Sequence, residues 1–155
     1  MKVGLPKEVK TSESRVALLP SACTVLSNLG NTIYIERDCG LLSGYSNKEY
    51  EDAGCIVMAT AEDLYAHADL IVKVKEPQLE EYSLLDSRHT LFSYLHLAAN
   101  DRLIDVLSKA GLTAIAFEGV TDDEGTRPLL KPMSTIAGKL AAQYASVLLH
   151  RNYGG

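Results

Sequence analysis

The chain has 155 residues, 46% of them hydrophobic and 23% charged, with a formal net charge of −5. That is enough for one domain, residues 1–155, with a proper core and not for two. The acidic balance leaves no basic footprint for nucleic acid, and no run of about 18 apolar residues is present to span a membrane. The apolar part of Met1–Lys7 is too short for a signal peptide. Cys23, Cys39 and Cys55 are odd in number and form no Cys-x-x-Cys pair. Buried reduced thiols and a cytoplasmic location are the expectation.

In chain order, Lys2–Leu5 reads as a short strand stopped by Pro6, with Lys7–Ser14 as a loop closed by Arg15. Pro20 suits the start of a helix and Gly30 its end, with Val25, Leu26 and Leu29 sharing a face. Thr32–Glu36 alternates like a strand, and Asp38–Tyr45 is a loop. Ser46 and Glu49 form a capping box for a short helix ending at Gly54. Cys55–Met58 is a strand, and Thr60–Asp63 opens a helix to about His67.

The next strand is Leu70–Lys75, stopped at Glu76-Pro77, and an acidic loop over Gln78–Ser83 leads to a strand at Leu91–Leu95. Asn100 caps a helix through Lys109, with Leu103, Ile104 and Leu107 inward and Gly111 after it. Thr113–Glu118 is a strand, followed by a loop holding Gly125, Pro128 and Pro132. Ser134 then caps the longest helix, in which Ile136, Leu140, Tyr144 and Leu148 recur every fourth residue. This alternation predicts an α/β fold: a doubly wound, mostly parallel sheet of Rossmann or flavodoxin type with helices on both faces.

Ligands of such sheets collect beyond the carboxyl ends of the strands. Arg15, Lys75 and His96 all fall on that rim. An arginine there can grip a carboxylate by two parallel hydrogen bonds, or be an ordinary surface arginine. Lys75 can bind a carboxylate or polarise a carbonyl, or be a solvated strand end. Lys73 shares its face by strand period and reads as the structural one of the two. His96 can exchange protons near neutral pH, or be a packed or surface histidine. Ser134 at a helix start suits anions or amides, or is a plain cap. Tyr94 and Met133 can line a pocket or simply pack. Gly-x-Gly-x-x-Gly, the Walker loop, His-Glu-x-x-His and Gly-x-Ser-x-Gly are all absent, and no metal site is expected.

Five pieces together resemble the N-terminal part of the NAD-dependent L-alanine dehydrogenase family: Val3–Glu8, Glu13–Leu18, Val72–Pro77, Tyr94–Ala98 and Pro132–Ser134. The transhydrogenase α subunit shares the opening and Lys73-Val74. It usually lacks counterparts of Lys75 and His96, so their presence favours the dehydrogenase. The resemblance implies Arg15 and Lys75 on the carboxylate and carbonyl of pyruvate or alanine, and His96 as general acid/base on the carbinolamine oxygen. It also implies Tyr94 and Met133 around the pocket and Ser134 against the NAD cofactor. The implied reaction serves alanine catabolism: L-alanine, NAD and water give pyruvate, ammonia and NADH.

In the family this segment is followed by a nucleotide-binding domain carrying the glycine fingerprint and a catalytic aspartate. The chain reads as truncated before it, so proper binding of the NAD cofactor needs that second domain and no dehydrogenase activity is expected of these 155 residues alone. A stand-alone module that binds a small carboxylate or a partner is the alternative. The apolar stripe Ile136–Leu148 predicts a homo-oligomer, because exposed apolar surface tends to be covered by self-association. Leu19 departs from the family's usual threonine cap before Pro20.

Overall fold

Pro6 has no amide to give a neighbouring strand, and the first strand, β1 (Lys2–Leu5), stops just before it. The computed structural model describes residues 1–154. The chain divides into two compact units, Met1–Ala116 and Phe117–Gly155.

The first unit is built on one sheet. Its other strands are β2 (Thr32–Glu36), β3 (Ile56–Met58), β4 (Leu70–Val72), β5 (Thr90–Ser93) and β6 (Thr113–Ala116). The order is β3-β2-β1-β4-β5-β6, and every neighbouring pair is parallel. This is the doubly wound α/β fold, with a sheet wholly rather than mostly parallel. Val3 stands beside both Ile33 of β2 and Leu70 of β4. The winding reverses between β1 and β4, and a crevice opens at such a switch point beyond the carboxyl ends of the strands.

The crossovers carry α1 (Pro20–Asn28), α2 (Asn47–Asp52), α3 (Ala61–His67) and α4 (Asp101–Ala110); β4 reaches β5 through a 3₁₀ turn at Leu79–Leu84. That turn occupies the segment expected as an acidic loop. Local chemistry sets the helix starts. Ser46 accepts from the Glu49 amide while the Glu49 carboxylate accepts from the Ser46 amide, a complete capping box. Thr60 caps α3 by accepting from the Asp63 amide at 3.2 Å, and Asn100 caps α4 from the Leu103 amide at 3.1 Å. Gly111 ends α4 at φ 70°, a conformation that costs glycine nothing. Leu19 precedes α1 with no side-chain cap.

Leu64, Tyr65, Ile71, Leu91, Leu95, Leu103 and Leu107 form the core between the sheet and its helices. Full burial of each apolar side chain stabilises by about 1.5–3 kcal/mol. Gly4 allows α3 to lie directly on β1: a Cβ there would come within 2.7 Å of Ala68 Cβ and 2.8 Å of Leu64 Cδ2.

One inward assignment, Ile104, is corrected, and the face of α1 that holds Val25 and Leu29 turns outward. Val25 and Leu29 are 59% and 74% exposed. The inward stripe of α1 is instead Ala22, Cys23, Leu26 and Ser27, spaced three and four apart, and Val25 lies round the far side from Cys23. Ile104 flanks the Leu103–Leu107 stripe and is 40% exposed. All three cysteines are buried and free, as expected. Burial pushes the Cys39 thiol up to about 12, so it stays protonated and inert.

The second unit contains α5 (Leu130–Leu148). This helix starts four residues before the expected cap. Pro132 is its third residue, where a helix amide has no intrahelical acceptor and a proline costs no hydrogen bond. Ser134 is therefore an interior residue of α5 and not its N-cap. Ile136, Leu140, Tyr144 and Leu148 are all exposed.

Candidate functional site

The carboxyl edge at the switch point is held by charge. Lys73 follows β4 directly and is 1% exposed. Its ammonium lies 2.7 Å from Glu81 Oε1 and 3.5 Å from Glu8 Oε2, both carboxylates being buried. Tyr65 donates its hydroxyl to Glu81 Oε1 at 3.0 Å. Lys73 is thus the structural lysine that the strand period suggests.

Glu8 also accepts from two backbone amides, Val74 to Oε1 at 2.6 Å and Lys75 to Oε2 at 3.2 Å. The registered β1–β4 pairs end at Gly4 and Ile71. Glu8 therefore supplies acceptors where β1 has left the ladder, and β4 ends at Val72 rather than at the expected Lys75. On the other side the strand partnership persists, with the Lys73 amide on the Phe92 carbonyl and the Tyr94 amide on the Val74 carbonyl. Burial pushes the Glu8 carboxyl above the ordinary range, against the opposing pull of Lys73 and the two amides.

Arg15 sits at the end of the loop that leaves β1. Its Nε and Nη2 donate to Glu13 Oε1 and Oε2 at 2.8 and 2.6 Å, and its backbone amide also donates to Oε1. This fork fixes the guanidinium plane. Hydrogen bonding from the Arg15 side chain holds the buried Glu13 carboxyl below the ordinary range, outweighing burial; Lys75 acts on it in the same direction. Arg15 in turn lies in the field of Tyr94 and Glu8. Lys10 pairs with Glu76, tying the same loop to the segment after β4.

His96 lies three residues past β5 at φ 50° and ψ 39°, the left-handed region that a non-glycine residue rarely occupies. The turn lays the exposed imidazole over the buried Tyr94 ring, with centroids 6.2 Å apart and planes 16° from parallel. Arg15, Lys75, Tyr94 and His96 therefore come from the loops and strand ends of β1, β4 and β5, around one switch point. Glu8 and Glu13 complete this edge and were assigned no role from sequence. No local signal marks Glu8, whose amide partners are 66 and 67 residues away in the sequence.

The family model described as the N-terminal domain of alanine dehydrogenase/PNT matches residues 4–137. The chain belongs to this family. It is 43% identical to alanine dehydrogenase of Mycolicibacterium smegmatis and 44% identical to that of Halomonas elongata, over 155 residues in each case. Those matches take in the whole of this chain and 42% of each relative. A solved L-alanine dehydrogenase superposes with a TM-score of 0.91 at 43% identity, covering 100% of this chain and 43% of that one. The transhydrogenase from Sinorhizobium meliloti gives a TM-score of 0.71 at 34% identity, over 76% of this chain and 34% of its own.

Within this family the remaining candidates, Met133 and Ser134, belong to the second unit, on the first turns of α5. Both are exposed, Met133 at 36%. The turn that follows β1 does not make a phosphate cradle for the dinucleotide cofactor implied by the family. A phosphate turn needs glycines between the first strand and its helix. Residues 6–19 contain none, Pro6 opens the segment, and α1 begins without a side-chain cap. Among the described residues no cluster of three or more His, Cys, Asp or Glu could hold a metal, and no helix is long and apolar enough to cross a membrane.

Proposed function

We propose that this alanine dehydrogenase-family chain is the substrate-binding part of an alanine dehydrogenase, the reaction being L-alanine, NAD and water to pyruvate, ammonia and NADH. The observation that carries the reading is the set of groups around the switch point. A braced guanidinium, a lysine and a histidine stacked on a tyrosine converge from three strand ends. Arg15 takes the substrate carboxylate through paired N–H donors. Lys75 donates to the carboxylate or carbonyl oxygen and offsets the negative charge that develops there. Tyr94 walls the pocket in the same reading.

His96 handles the proton. A neutral imidazole takes the hydroxyl proton of the carbinolamine, whose amine is already protonated, as its C–N bond breaks, releasing pyruvate and ammonia. In reverse, the imidazolium returns that proton to the oxygen as ammonia adds to the carbonyl carbon. NAD, when bound, would supply the hydride chemistry at the alanine Cα, and no residue of this chain is assigned that step. Contact of Ser134 with NAD is retained from the family resemblance, and no step is assigned to it. A cytoplasmic location and self-association through the exposed stripe of α5 belong to the same reading. The smaller coverage and lower TM-score of the transhydrogenase match favour the dehydrogenase.

Calorimetric titration of pyruvate into the full chain tests the site. Arg15→Ala is expected to weaken binding by roughly 30-fold, in the range for a charged hydrogen-bonded contact. No saturable binding by the unaltered chain, or equal affinity in the variant, would overturn the proposal. With alanine and NAD the chain alone is expected to form no NADH, because the turn after β1 makes no phosphate cradle for the dinucleotide.

A further inference from the structure

We infer that Glu8 is a positioning residue for the substrate site: its carboxylate stands in for the missing stretch of β1, fixes the backbone at Val74 and Lys75, and so aims the Lys75 ammonium. The inference rests on the proposed role of Lys75 in binding the oxyacid.

Three observations carry it. The β1–β4 pairing ends at Gly4 and Ile71, so the amides beyond β4 need another acceptor on that side. Both carboxylate oxygens of Glu8 supply one, to Val74 at 2.6 Å and to Lys75 at 3.2 Å. Charge balance alone does not explain Glu8, because Lys73 already has Glu81 at 2.7 Å, against 3.5 Å for Glu8. A single carboxylate would neutralise that ammonium. The second one is a buried charge that burial disfavours, and the two amides hold it together with Lys73. Glu8 itself touches no substrate group in this account. It acts through the backbone of Lys75, the first residue past the Lys73 cluster whose side chain reaches the edge shared with Glu13.

Two variants separate positioning from charge. Glu8→Gln keeps the shape but has one acceptor oxygen in place of two and sets an NH₂ donor against an amide. Glu8→Asp keeps the charge near Lys73 but is one methylene too short to reach both amides. Both are made in the full chain and titrated with pyruvate, alongside Lys75→Met, and the amide exchange of Val74 and Lys75 is followed by NMR. The expected result is about tenfold weaker pyruvate binding in each Glu8 variant, the size of one lost hydrogen bond to a charged group. Exchange at the Val74 and Lys75 amides should accelerate while amides of β5 stay protected.

Wild-type affinity in Glu8→Asp, or unchanged exchange at the two amides, would overturn the inference and leave the site reading intact. If Glu8→Gln fails to fold, Glu8→Asp decides alone. If Lys75→Met binds pyruvate as tightly as the unaltered chain, the role of Lys75 is wrong and the inference falls with it. That outcome is read from a different variant and is not confused with the first.

Discussion

Lys73 and Lys75 are two residues apart, carry the same charge, and leave the same strand. Lys73 is buried between Glu81 and Glu8, with Tyr65 behind. Lys75 is half-buried, its amide held by Glu8 and its charge felt by Glu13 beside Arg15. The first lysine secures the strand end, and the second is presented by it. Taking two ions out of water is repaid only when both are paired, so losing one partner of a buried pair is far costlier than losing an exposed one. The pairing of neighbouring positions in opposite roles is therefore something that substitution can break.

Lys73→Met should have the largest effect. It leaves Glu81 and Glu8 buried without their cation, and a loss of about 3–5 kcal/mol is expected, seen as a lower urea midpoint. A cost below 1 kcal/mol would mean that the cluster is not what holds β4. Lys75→Met should do the reverse: stability close to that of the unaltered chain and pyruvate affinity down by roughly 30-fold, the size of a lost charged hydrogen bond. His96→Gly relieves a left-handed backbone and should raise stability by about 1 kcal/mol, the usual cost of that region for a side-chain-bearing residue. Pyruvate binding should persist if the imidazole serves proton transfer rather than grip. A fall in thermal midpoint would show that the Tyr94 stack outweighs the backbone strain.

The smallest effect is in pH, where the two sides of the comparison have opposite signs. Glu13 is pulled below its ordinary 4.5 by Arg15. The stability it adds is present above pH 4.5 and is lost as pH falls through its folded value. Glu8 is pushed above 4.5 by burial, so its ionisation costs stability as pH rises from 4.5 through its folded value. Urea titrations at several pH values should show Glu13→Gln with a shallower acid loss. In the same experiment Glu8→Gln should lack the decline above pH 4.5. Equal slopes in both variants and the unaltered chain would remove the distinction.

Much of this architecture could be read from residues, for a physical reason. Caps act over three positions, so Ser46, Thr60 and Asn100 disclosed their helices directly. Strand alternation puts Ile33 and Ile35 on one side of β2, and both are buried. Errors arose where a non-local partner decided the outcome. Period alone could not tell which stripe of α1 meets the sheet, nor that Ile104 stands at the margin of the buried stripe of α4. Ser134 looked like a cap because Pro132 looked like a break, but a proline in a first turn breaks nothing. The rim positions of Arg15, Lys75 and His96 followed from strand ends. Glu8 and Glu13 did not, because their partners are reached only through the folded loop and the sheet order.

That sheet order also has a consequence for how the polypeptide is made. Val3 belongs to the central strand, yet its neighbours are Ile33 and Leu70. At about 5–20 residues per second, Leu70 is synthesised roughly 3–13 s after Val3. Through that interval β1 has an open edge and its apolar side chains lack their final cover. The strand β1 thus waits with one open edge until β4 has been made, which makes Val3-Gly4-Leu5 a stretch that a nascent-chain chaperone can hold.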